Sequence, residues 1–299
     1  MYRSSYFISA AGRLFQRLRQ TKLFLFWLTL PNRRQIAYTG VATSLAASFF
    51  SSSSDLKKNV ETESLKKMQE ADAYYNYYMI DNAYNILRRY RNSDDPEMLW
   101  RLGRVIVEQG KLCKNAEEKK RLFEEALEII KRALLSAGEP GVFGAHKWYA
   151  IALNYASECQ GTKSQLTNAP EVKASLERAL AINPQDPTTW MILGMWHFAF
   201  ADMASYTRLA ARAIYANPPS STYEEALDKF QKAETLQPNF CSTNTFYIGQ
   251  IYERQGNKEQ AAAYYRKVFA APVLTADDNE AHSKASERLK KLGIKISES

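Results

Sequence analysis

Cysteine and histidine are scarce, with three of each in 299 residues. Cys113, Cys159 and Cys241 lie far apart. An odd count without CxxC spacing excludes a disulfide framework and points to a reducing compartment. His146, His197 and His282 stand at no ligand spacing to a carboxylate or cysteine, so no metal site is expected. The chain lacks a glycine-rich phosphate loop and a GxSxG turn, so no cofactor and no enzyme activity are expected. From Asp55 onward no stretch alternates apolar and polar residues as a half-buried strand would. That leaves an all-α protein.

Acidic residues are missing from the first 54 positions, which hold seven of the 40 Lys and Arg and none of the 32 Asp and Glu. The remaining chain is therefore nearly neutral, and the net charge of +8 belongs mostly to this leader. A folded domain without a basic excess argues against nucleic acid as a partner. The sequence divides into a leader, 1–54, and a folded body, 55–299.

Within the leader, Phe7, Ala11, Leu14 and Leu18 fall on one helical face, with Arg13 and Arg17 off it. An Arg-rich, Ser-containing, acid-free amphipathic segment has the composition of a mitochondrial presequence. Two apolar stretches follow, Leu23–Leu30 and Gln35–Phe50. Both are shorter than the ~20 residues of a spanning helix. The alternatives are a membrane or membrane-surface anchor and an unaddressed tail.

The body carries a degenerate helical-hairpin repeat of the W-x2-L-G-x2-Y, A-x3-F, P type. Its best-kept unit places Trp190, Leu193 and Gly194 on a first helix, answered by Ala226, Phe230, Ala233 and Pro238. About twenty extra residues, Asp202 to Ser221, separate the two halves. The next unit, with Gly249, Tyr252, Gly256, Ala261 and Tyr265, has no insertion. Upstream, Trp148, Ala152 and Tyr155 pair with Leu176 and Ala179, and Leu99, Leu102 and Gly103 pair with Ala126, Ile130 and Ala133. A weak first unit holds Ala71, Tyr74, Ala83 and Leu87, and a charged helix ends the array. The expected architecture is a tetratricopeptide-like solenoid with irregular insertions.

First helices of such arrays line the concave face. The inward offsets are His146, Tyr149, Leu153 and Ala156 in one unit, and Thr188, Met191, Met195 and Phe198 in the next. An apolar groove around Tyr149, Leu153, Met191, Met195 and Phe198 would take a phospholipid, an amphipathic helix, or a segment of this chain. The long insertion is the segment at hand. His197 replaces the signature tyrosine and reads as a packed core residue. The tyrosines from Tyr74 to Tyr78 read as packing.

Five segments carry a more specific likeness. They are DPEMLWRLGR (Asp95 to Arg104), GAHKWYAIALNYASE (Gly144 to Glu158), LERALAINP (Leu176 to Pro184), ILGMWHFAFADM (Ile192 to Met203), and the run from Pro218 to Pro238 ending in KAETLQP. Their order and spacing resemble the regulator of microtubule dynamics family. The resemblance implies a non-enzymatic repeat protein that associates with microtubules and the mitotic spindle and assists chromosome segregation. It also implies a second role, because one branch anchors on mitochondria, tethers them to the endoplasmic reticulum and binds phospholipid. That branch has a longer N-terminal region, with a tether motif not found here, and this chain looks like the short branch. Acidic tubulin would need a basic surface. The candidates are Arg88, Arg89 and Arg91, or Lys284, Arg288, Lys290 and Lys291. Address is thus expected at the spindle by resemblance and at mitochondria by leader composition.

Overall fold

Asp95 and Asp186 each approach a helix in extended backbone, and a proline follows each. Asp95 accepts from the Glu97 amide at 2.9 Å and Asp186 from the Thr189 amide at 2.7 Å. A proline at the first helical position loses no hydrogen bond, and its fixed φ suits the helix. Thr222 and Thr275 go further and form reciprocal capping boxes with Glu225 and Asp278. These local signals set the starts of the helices that stack into the array.

In this computed structural model the described residues are 62–214 and 219–294. The expected leader lies outside them. The repeat unit runs from Glu63 onward. Its helices are α1 (62–76), α2 (Ile80–Leu87), α3 (Pro96–Leu112), α4 (Ala116–Ala137), α5 (Phe143–Gln160) and α6 (Thr162–Ile182). They continue as α7 (Pro187–Ala201), α8 (Ser205–Ile214), α9 (Tyr223–Leu236), α10 (Ser242–Arg254), α11 (Lys258–Ala270) and α12 (Ala276–Lys291). A 3-10 turn, Arg88–Tyr90, follows α2. No strand occurs among the described residues.

Four hairpins pair strongly: α3 with α4, α5 with α6, α7 with α9, and α10 with α11. Three share one packing device. A glycine on the first helix faces a large side chain on the second: Gly103 against Ile130, Gly194 against Phe230, Gly249 against Tyr265. The partners are 27, 36 and 16 residues apart in the chain. The insertions explain the spread. In the α3–α4 hairpin the extra residues lengthen the helices, so α4 has 22 residues where α11 has 13. In the α7–α9 hairpin they form α8 and its flanking loops.

The core runs along the array rather than around one centre. One cluster spans the hairpins from Ala71 to Leu180 and reaches Leu193. A second joins Met191 and Phe198 to Phe230, Ile248 and Ile251. A third packs Ala281, Ala285 and Leu289 of α12 on Phe246, Ala261, Tyr265 and Val268. Each hairpin buries its apolar face only against neighbours, as expected for repeat proteins.

Candidate functional site

The inward offsets do not line an open groove. Tyr149 and Leu153 are 7% and 6% exposed and belong to the first cluster, while Met191 and Phe198 are 7% and 6% exposed within the second. Thr188 and Met195 are half-buried. The Tyr149 hydroxyl donates to Glu171 of α6, so even its polar end is engaged. His146 and Ala156 are buried too.

The described part of the insertion packs elsewhere. Its helix α8 places Ala211 on Leu166, Ala169 and Phe200, near the tips of the α5–α6 and α7–α9 hairpins. The first turn of α12 meets Lys111 of α3 and Tyr78. Lys111 of α3 pairs with Asp277 of α12 at 2.7 Å and with Glu108 at 3.0 Å. The Tyr78 hydroxyl donates to Glu108 at 3.2 Å and accepts from the Ala276 amide at 3.2 Å. Tyr155 of α5 lies in the fields of Lys111, Asp277 and Glu280, and Tyr247 of α10 in those of Lys284 and Glu280. Burial pushes the pKa of Glu108 up. Burial also opposes charge on Lys111, but Glu108 and Asp277 outweigh it and lift the lysine pKa. The lysine therefore stays charged between its two carboxylates.

Deeper in the array, Arg104 lies 3.8 Å above the Tyr75 ring and 5.1 Å from that of Trp100. It donates to Asp72 at 2.5 Å, and Arg101 donates to the same carboxylate at 2.9 Å. Tyr75 meets Trp148 edge-on at 6.2 Å. The tyrosine cluster is thus packing, as its spacing suggested, except for Tyr77, which is exposed. Sequence pattern carried no sign of the Arg104 stack or of the Tyr78 contact.

The two basic clusters differ. Arg88 and Arg89 are exposed on the 3-10 turn, and neither pairs with a carboxylate among the described residues. Arg91 pairs with Glu125 at 2.6 Å. On α12, Lys284 pairs with Glu280, Arg288 with Glu253 at 3.5 Å and Lys291 with Glu287 at 2.6 Å. Lys290 alone there has no ion-pair partner among the described residues. Most of the C-terminal cluster is neutralised by its own acids.

Between α6, α7 and α9 lies a cleft of about 490 Å³ lined by Lys173, Glu177, Trp190, Leu193, His197, Glu225 and Lys229. His197 Nδ1 is 2.7 Å from the Ser221 oxygen, and the Ser221 hydroxyl donates to Glu225 at 2.6 Å. That order is the reverse of a nucleophile triad. The serine proton is held by the carboxylate, so the imidazole Nδ1–H donates to the serine instead of taking its proton. Burial, then Lys173, depresses the His197 pKa. No group of His, Cys, Asp and Glu suited to a metal occurs among the described residues, and no described helix is long and apolar enough to cross a membrane.

A family model described as "Regulator of microtubule dynamics protein 1-3" matches residues 67–293, most of the chain. The chain belongs to this family. The mouse regulator of microtubule dynamics protein 1 is 39% identical over 223 residues, 74% of this chain and 72% of the relative. The human protein 1 is 39% identical over 191 residues, 64% and 60% of the two chains. The Xenopus laevis protein 3 is 31% identical over 196 residues, covering 66% of this chain and 42% of its own. The resemblance to the short branch therefore stands. A thermophilic TPR protein of Thermus thermophilus superposes with a TM-score of 0.51 at 16% identity, covering 76% of this chain and 98% of that one. That likeness establishes the tetratricopeptide-like fold.

Proposed function

We propose that this chain is a non-enzymatic scaffold that associates with microtubules and regulates spindle microtubule dynamics and chromosome segregation. Membership of the regulator of microtubule dynamics family carries the reading. The unpaired Arg88 and Arg89 support it, because an acidic tubulin surface needs cations not already neutralised within the protein. Of the seven basic residues considered from sequence, these two and Lys290 meet that condition.

Contacts of this kind weaken as salt screens them, over a length of about 8–10 Å near physiological ionic strength. The test is co-sedimentation of the full chain with polymerised tubulin. Arg88→Glu with Arg89→Glu should lower the bound fraction several-fold, and added salt should do the same to the wild type. Binding that ignores both changes would refute a charge-based microtubule contact.

A mitochondrial adaptor is the second reading. The acid-free composition of residues 1–54 supports it as an address. The phospholipid groove once attached to it loses support, since four of its five residues are packed away. Imaging the full chain with and without residues 1–54 tests the address independently of tubulin binding.

A further inference from the structure

Two contacts join segments of the repeat unit that are very far apart in sequence. Ala276 donates its amide to Tyr78 across 198 residues, and Lys111 pairs with Asp277 across 166. Helix packing does not enforce this junction. The helices on which α12 packs are α10 and α11, through Ala281, Ala285 and Leu289. Toward the N-terminal hairpins it reaches with polar side chains and one amide at its first turn.

The residue that receives that amide is itself unusual. Tyr78 has φ of +55°, one of two non-glycine residues with positive φ among those described. The left-handed conformation strains an L-residue, and a glycine would adopt it freely. A tyrosine here supplies what glycine cannot, a hydroxyl that bonds Glu108 and the Ala276 amide at once. Lys111 completes the set by bridging the same Glu108 to Asp277. Five groups therefore form one connected polar unit, with the buried Glu108 at its centre.

We propose that Tyr78, Glu108, Lys111 and the first turn of α12 form a latch. Closed, it fixes the first turn of α12 against Tyr78 and Lys111. Open, it frees that turn while α12 stays seated on the last hairpin by its apolar stripe. The device is a conformational strap of two ion pairs and two hydrogen bonds, linked through Glu108.

A latch must open as a unit, and amide hydrogen exchange on the full chain reads this. Asp277→Asn removes the carboxylate charge opposite Lys111 and leaves the Tyr78 hydroxyl untouched. The expected result is at least tenfold faster exchange of the Ala276 amide, with Ala285 to Lys291 and the α5–α6 hairpin unchanged. Tyr78→Phe should loosen the same first turn beyond Ala276 itself. If Ala276 stays as protected in Asp277→Asn as in the wild type, the two contacts are independent and there is no latch. If all of α12 and the last hairpin loosen together, the junction is ordinary structure and the proposal fails as well.

Discussion

Gly194 faces Phe230 so closely that a methyl group on the glycine would come within 2.9 Å of the ring. At Gly103 the same methyl would lie 2.2 Å from Ile130. Overpacking of this sort costs about 1–3 kcal/mol. Gly103→Ala should sit at the upper end and Gly194→Ala lower, since a ring can tilt away where the Ile130 branch cannot. Thermal unfolding of each variant checks the order, with a drop of about 2–4 °C expected per kcal/mol at this size.

Asp72 holds both Arg101 and Arg104, and burial already disfavours the Arg104 charge. Asp72→Asn leaves the buried Arg104 without its counter-charge, while Arg101 keeps Glu97 at 2.5 Å. Breaking a fully buried pair costs about 3–5 kcal/mol. Asp72 is partly exposed, so roughly 2–3 kcal/mol is expected. Urea unfolding should show a lower midpoint with an unchanged slope.

Asp202 ends α7 and binds Arg254 of α10 at 2.5 and 2.9 Å and Tyr223 of α9 at 2.7 Å. The hydrogen bond from Arg254 holds its pKa below the ordinary value of 3.8. A depressed folded pKa contributes stability that is complete above the unfolded value and is lost as pH falls through the folded one. Asp202→Asn should therefore cost about 1 kcal/mol at neutral pH, as a partly exposed charged hydrogen bond does. The difference from wild type should shrink as pH drops below 3.8. Parallel urea titrations along that pH series test the sign.

Leu153 and Met195 were read from sequence as one groove, and the structure separates them. Leu153→Glu would bury a carboxylate in the main core and should cost about 3–5 kcal/mol. Met195→Glu, at a half-buried position, should cost about 1 kcal/mol. Circular dichroism melts of the two variants should differ by many degrees. Equal, small shifts would mean that the face around Leu153 is open after all.

What was legible in the sequence was local. Proline after a capping Asp and glycine opposite a ring each depend on neighbours within one hairpin. They placed the helices and the irregular insertion correctly. Exposure of the inward offsets depends instead on how one hairpin leans on the next, which no single repeat records. Tyr149, Leu153, Met191 and Phe198 were therefore named in the right place and given the wrong surroundings. The Tyr78 to Ala276 contact leaves still less trace, because a hydrogen bond across 198 residues has no periodicity to betray it.

The spacings of 16, 27 and 36 residues between facing glycine and large side chain have a further consequence. Each of these three hairpins is registered by a contact near its middle, not by the length of chain that makes its turn. Added residues can therefore extend the tip, or bud off as α8, while the stacking partners stay in line. The tips are the adjustable part of this molecule. New surface can be grown there without renegotiating the core, and a change of partner need not begin with a change of fold.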